Sequence, residues 1–117
     1  MAVLSTLATD RQRAVRGAVA GHASSLAELL GHLAGDRSRE VRAAVASNVR
    51  TPTDALSLLA GDSDVNIRVA VAGNPSAPQN ALAHLAGDSD VEVRRAVHRN
   101  PGASDEVRVI AALLGVQ

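Results

Sequence analysis

The sequence predicts an all-α fold, a short solenoid of tandem two-helix repeats with a period of 26 residues. Three observations predict it. Leu7-Ala8-Thr9-Asp10, Leu33-Ala34-Gly35-Asp36, Leu59-Ala60-Gly61-Asp62 and Leu85-Ala86-Gly87-Asp88 each start 26 residues after the one before. Six residues after each Asp stands an arginine, Arg16, Arg42, Arg68 or Arg94, preceded by Val15, Val41, Ile67 or Val93 and followed by an Ala-Val pair two residues on. An amide column then appears, with Asn48, Asn74 and Asn100, and with His22 in its place in the first copy. Columns that agree over four copies mark a repeat array, in which each unit buries its apolar face only against its neighbours.

The expected organisation is one repeat domain over residues 1–117. Val3, Leu4 and Leu7 align with the second helix of an upstream unit, so residues 1–6 read as an N-terminal half-repeat cap. Units follow at residues 7–32, 33–58, 59–84 and 85–110, and residues 111–117 read as the end of a C-terminal capping helix.

Within a unit, the first helix carries an apolar stripe such as Val93, Ala96 and Val97, at i, i+3 and i+4. Ser89 and Glu92 have capping-box spacing, and Asp64 and Asp90 suit the positive end of the helix dipole. Asn74-Pro75 and Asn100-Pro101 stop the helix, because the residue before proline is pushed out of the α region and Asn tolerates a terminating left-handed turn. The second helix opens near Pro52 or Pro78, where a missing N–H costs nothing. It is expected to bury Ala55, Leu56, Leu59 and Ala60, or Ala81, Leu82, Leu85 and Ala86, and to end at Gly35, Gly61 or Gly87 as at a helix C-cap. Two helices and two turns fit tightly into 26 residues, so the pair is either α plus α or α plus 3₁₀. Helices of about ten residues do not persist alone in water. At the C-terminal end Val107, Ile110, Ala111 and Leu114 keep a helical stripe, while Arg108 enters the column of Leu30, Leu56 and Leu82. That intrusion predicts a shifted, solvent-facing terminal helix.

The pattern Asp-x-x-x-x-Val-Arg-x-Ala-Val-Ala-x-Asn-Pro-x-x-Pro-x-x-Ala-Leu-x-x-Leu-Ala, clearest from Asp62 to Ala86, resembles the leucine-rich repeat variant family. The resemblance covers essentially the whole chain. It implies a right-handed superhelix of alternating α and 3₁₀ helices and a role as a binding scaffold. The Asp and Val-Arg pair is also similar to the HEAT-repeat family, whose units are longer, so the 26-residue period fits the first resemblance better. Two units depart from the pattern: His22-Ala23 and Asn48-Val49 stand where Asn-Pro is expected, which predicts looser turns there. Some members carry an iron–sulfur cluster on an N-terminal cysteine domain. This sequence holds no cysteine, so that function is not expected of these residues.

Composition narrows the chemistry. The chain has no Cys, Phe, Trp or Tyr, and all twelve basic side chains are Arg. Disulfides, thiolate nucleophiles and Cys-ligated metals are therefore excluded. The apolar start is broken by Ser5, Thr6 and Asp10 before a signal-peptide core can form, and no apolar run approaches the roughly 20 residues of a membrane helix. The expected location is the cytoplasm. Formal net charge is zero, with seven Arg and four acids in residues 1–50 against five Arg and eight acids in residues 51–117.

The repeated polar residues read first as structure. Arg16, Arg42, Arg68 and Arg94 would recur about every 10 Å, a helix packing distance, and each is expected to answer Asp10, Asp36, Asp62 or Asp88 in its own or the neighbouring unit, guanidinium to carboxylate. Asn48, Asn74 and Asn100 are expected to close turns. Asp62-Ser63-Asp64 begins like a calcium loop, but the sixth and twelfth positions hold Ile67 and Gly73 rather than Gly and Glu. His32 and His84 lie two units apart, roughly 20 Å, too far to share a zinc ion. No catalytic motif is present, and carboxylates that recur once per unit do not form a unique site. No catalytic, cofactor or metal site is expected. The expected activity is non-enzymatic binding of a protein partner through columns that vary from unit to unit. One holds Gly17, Ala43, Val69 and Arg95, another Ala20, Ala46, Ala72 and His98. Val69, Arg95, His98 and Arg99 are the candidate contacts. Duplex nucleic acid is the alternative partner, through Arg-bearing helices, although a strong polyanion binder carries a basic excess that this chain lacks. The oppositely biased halves would also support head-to-tail self-association.

Overall fold

The computed structural model describes residues 27–113. Asp10, Arg16, the half-repeat at residues 1–6, most of the unit at residues 7–32, and Leu114 lie outside the described residues. Seven α-helices run in order: α1 (Ala27–Leu33), α2 (Arg39–Ser47), α3 (Thr53–Leu59), α4 (Val65–Gly73), α5 (Gln79–Ala86), α6 (Val91–Arg99) and α7 (Asp105–Leu113). Each packs on the next helix and on the next but one. The result is two layers, α2–α4–α6 and α1–α3–α5–α7, stacked as a short helical-repeat solenoid.

Burial follows the columns. Val41, Ile67 and Val93 are fully buried, as are Val45, Val71 and Val97 on the first helices and Leu30, Leu56 and Leu82 on the second. Burying each such side chain contributes roughly 1.5–3 kcal/mol. No helix here exceeds nine residues, so this shared core stabilises what propensity alone could not. Thr51, in the column of Ala77 and Ala103, is buried by donating Oγ1 to the Val45 carbonyl at 2.6 Å.

Among the described residues both members of each pair are α-helices, whereas the family resemblance implied alternation with 3₁₀. In the second helices, bonds of 3₁₀ spacing appear at the closing turn. Gly61 N–H donates to the Leu58 carbonyl and Asp62 N–H to the Leu59 carbonyl, both at 3.1 Å, and Gly35-Asp36 and Gly87-Asp88 close in the same way. Tightening of this kind ends the helix within three residues and leaves room for the loop.

Several local expectations are corrected. Asp64 and Asp90 are the N-caps of α4 and α6, accepting from the Asn66 and Glu92 N–H groups at 2.9 and 2.8 Å. Ser89 lies one residue too early to serve. The Asn C-caps are extended, not left-handed: Asn74 has φ −79° and ψ 121°. Proline at the next position favours just that region. Asn48, followed by Val49, adopts φ −85° and ψ 122° and the same turn bonds, so its turn is no looser than the others. Finally, α7 is not shifted. Val107 and Ala111 are buried in the columns of Ala81 and Leu85, while Ile110 is exposed.

The closing glycines are likewise not left-handed. Gly87 has φ −99°. A Cβ on Gly61 would meet nothing nearer than the Leu58 carbonyl oxygen at 3.6 Å. Gly61→Ala is therefore expected to stabilise the chain by about 0.4–1 kcal/mol, by restricting the unfolded state. At Gly102 a Cβ would sit 3.2 Å from both the Asn100 Oδ1 and the Pro75 carbonyl of the preceding unit. Gly102→Ala is expected to destabilise by about 1–3 kcal/mol. Thermal melts followed by far-UV circular dichroism check both signs.

Candidate functional site

Two polar ladders run along the stack. In the first, Arg42 Nε donates to Asp62 Oδ2 at 2.8 Å and Arg68 Nε to Asp88 Oδ2 at 2.9 Å, each across 20 residues into the following unit. The same guanidinium turns back to its own unit, Arg42 Nη1 donating to the Asp36 carbonyl and Arg68 Nη1 to the Asp62 carbonyl, both at 2.8 Å. Each aspartate also holds its own loop. Oδ1 accepts from the backbone N–H two residues on, at 2.8 Å for Asp36 and 2.9 Å for Asp62 and Asp88, and fixes the loop into the next helix. The Asp62 and Asp88 side chains are less than a tenth exposed and those of Arg42 and Arg68 less than a fifth.

The second ladder is made of amides. Asn74 Nδ2 donates to the Ala46 and Asn48 carbonyls at 2.8 and 3.1 Å, and Asn100 Nδ2 to the Ala72 and Asn74 carbonyls at 2.8 and 3.0 Å. Their Oδ1 atoms accept from Ser76 and Gly102 N–H groups, closing the turns. The column thus does more than close turns: it ties each unit to the one before.

Sequence spacing does not single out Gln79, and it marks Arg108 only as an intruder in a leucine column. Gln79 reaches across with both ends of its amide, donating to the Gly102 carbonyl and accepting from Ser104 N–H. Arg108 is half-buried rather than solvent-facing, and its Nη2 donates to the Asn100 carbonyl at 2.9 Å. That is the bond which the next unit's Asn makes to Asn48 and Asn74. The signal was a charge in a column that otherwise holds leucine, though the column does not say which acceptor the charge reaches.

The candidate contact residues do not share one surface. Val69 and Arg95 repeat one position on the outer side of the α2–α4–α6 layer, both half-exposed, with exposed Arg99 one turn beyond Arg95. Arg95 Nη1 donates to Glu92 Oε1 at 2.7 Å. Ala46 and Ala72 are fully buried, so their column faces the neighbouring unit, and His98 is exposed at the end of that column. Among the described residues no group of three or more His, Asp or Glu converges as a metal ion would require, and no helix is long and apolar enough to cross a membrane.

The family described as leucine rich repeat variant matches residues 39–64 and, directly after them, residues 65–90. Each matched stretch is one first helix, its partner second helix and the loop that follows. Residues 39–90 match two consecutive leucine rich repeat variant units. Each Arg–Asp rung lies within one matched stretch, tying its first helix to the loop that closes its second, while the Asn74 bonds to the Ala46 and Asn48 carbonyls join the two stretches. No curated protein and no solved structure matches the chain.

Proposed function

We propose that the chain is a non-enzymatic, cytoplasmic scaffold that binds a protein partner across the outer face of α2, α4 and α6. The observation that carries this reading is where variation falls. Buried columns repeat their residue types, whereas the outer face changes from unit to unit: Ala43, Val69 and Arg95 in one column, Ser47, Gly73 and Arg99 in another. Side chains there alter recognition without altering the stack. With no aromatic residue to anchor it, the interface rests on Arg and small aliphatic groups, which suits a modest, polar contact.

Duplex nucleic acid is less well supported. Arg42 and Arg68 are held by carboxylates, so each phosphate contact through them requires a pair to break. Exposed Arg37 and Arg39 lie at the start of α2 and exposed Arg50 beyond its end, separated by roughly 13 Å of helix, and form no stripe along the layer.

The test is capture on immobilised chain, comparing the natural sequence with Val69→Lys and with Arg99→Glu, each verified as helical. A protein held by the natural chain and lost from both variants supports the outer face. Capture unaffected by either variant overturns it, and retention of duplex DNA at physiological salt moves the reading to nucleic acid.

A further inference from the structure

The two layers divide the exposed charge unevenly. Helices α1, α3, α5 and α7 expose Glu28, Asp54, Asp105 and Glu106 and no arginine. Their one arginine, Arg108, is half-buried and bound to the Asn100 carbonyl. Every exposed arginine of the described residues lies on α2, on α6 or in the loops beside α2, namely Arg37, Arg39, Arg50 and Arg99. No ion pair among the described residues includes any of the four exposed acids of the second layer.

These acids form a row. Glu28, Asp54 and Glu106 repeat one position, with Asn80 between the last two. One turn further along each helix runs a second row, His32, Leu58, His84 and Ile110, all exposed. Leu58 is 63% exposed and Ile110 43%, with exposed Val109 beside Ile110. Leu58 and His84 have a unit on either side and are exposed all the same, so this row faces away from the stack and not toward its end. Units are spaced by about 10 Å, which sets Leu58 and Ile110, like Asp54 and Glu106, roughly 20 Å apart. Acids in a first turn suit the helix dipole. The dipole does not account for the aliphatic side chains in the next row, nor for a face that no exposed arginine enters.

We propose that the outer side of the second layer docks a basic, amphipathic helix of a protein partner. The helix lies along the layer, its cationic side chains on the acid row and its aliphatic ones on Leu58 and Ile110. Charge complementarity selects the cations and turns away nucleic acid, whose phosphates the acids repel. About 14 residues of helix cover the span of roughly 20 Å. A second copy is a poor occupant: Arg39 and Arg99, the exposed arginines on its helices, each share a helix with an exposed glutamate, Glu40 or Glu92. The two layers turn their outer sides in opposite directions, so this face stands whether or not that of α2, α4 and α6 binds. Occupied together, the two would make the chain a bridge between partners.

The test reads the leucine, valine and isoleucine methyl resonances of the full chain by ¹³C–¹H NMR. The probe is a capped peptide of two Lys-Leu-Ala-Lys-Lys-Leu-Ala heptads. One control replaces every lysine of the peptide by glutamate, and the other every leucine by serine. The Leu58 and Ile110 methyl groups are expected to move saturably with the probe and to stay unmoved with either control. Leu58→Ala is expected to keep the melting temperature and lose the Ile110 response, because the two residues belong to one footprint. Arg99→Glu, on the opposite layer, is expected to leave the response in place. Unmoved methyl groups, an equal response to either control peptide, or an Ile110 response that survives Leu58→Ala overturns the proposal. Self-association of the chain alone that Leu58→Ala abolishes would assign the face to a second copy and overturn it as well.

Discussion

Leu59→Ala is expected to cost about 2–5 kcal/mol, while Leu58→Ala, one residue away, is expected to change stability by less than about 0.5 kcal/mol. The two leucines share a helix and a chemistry, and differ only in what surrounds them. Leu59 is 1% exposed and belongs to the continuous core, in line with Leu33 and Leu85; Leu58 is 63% exposed. Truncating Leu59 removes buried contacts from two units at once, because α3 packs on α1 and α5 as well as on α2 and α4. The surrounding side chains are mostly Ala and Val, too short to collapse into the gap. In a solenoid such a loss is not shared over a global core. The melt is therefore expected to broaden as well as move, with the units on either side of α3 unfolding less cooperatively. Far-UV circular dichroism is the readout, since the chain has no aromatic absorbance. Equal melting temperatures for the two variants would show that the buried leucine column is not what holds neighbouring units together.

The buried columns were legible because apolar spacing and a 26-residue period are one-dimensional signals. Leu56, Leu59, Ile67 and Val71 announce the core by recurring. The aspartate and arginine columns announced a pairing, though not that Asp62 and Asp88 give Oδ2 to the unit before while Oδ1 also holds their own loop. Such a division depends on where a loop turns, which spacing does not encode. Helix ends depart from the expected left-handed turn for a related reason: Asn48, Asn74 and Asn100 all take the same extended cap, with or without a following proline, because the turn and the amide bonds to the neighbouring unit set it. The terminal helix was misread because Arg108 breaks a leucine column. Its stem is accommodated at the column position while the guanidinium reaches the Asn100 carbonyl. A charge in an apolar column therefore signalled a substitute bond and not a displaced helix.

Asn74→Ala is expected to cost about 3–5 kcal/mol, comparable to the loss of a core leucine, although Asn74 is a turn residue. Its side chain is 3% exposed overall and makes three bonds. Nδ2 serves the Ala46 and Asn48 carbonyls of the preceding unit, and Oδ1 serves the Ser76 N–H of its own turn. Alanine leaves those groups without their partner in a region water does not reach, at about 1–3 kcal/mol for each group stranded. An exposed amide on the same helix, Asn66, is the control, and Asn66→Ala is expected to shift stability by less than about 0.5 kcal/mol. Arg108→Leu gives the sharper contrast. It restores the residue type of Leu30, Leu56 and Leu82 and strands only the Asn100 carbonyl at the end of the ladder, so its cost is expected to stay within about 1 kcal/mol. Hydrogen exchange separates the causes: in Asn74→Ala the Ser76 amide should lose protection before the core amides of α4 do. Should Asn74→Ala melt with Asn66→Ala, the amide ladder would be mere turn geometry, and the coupling between units would rest on the apolar columns and the arginine rungs alone.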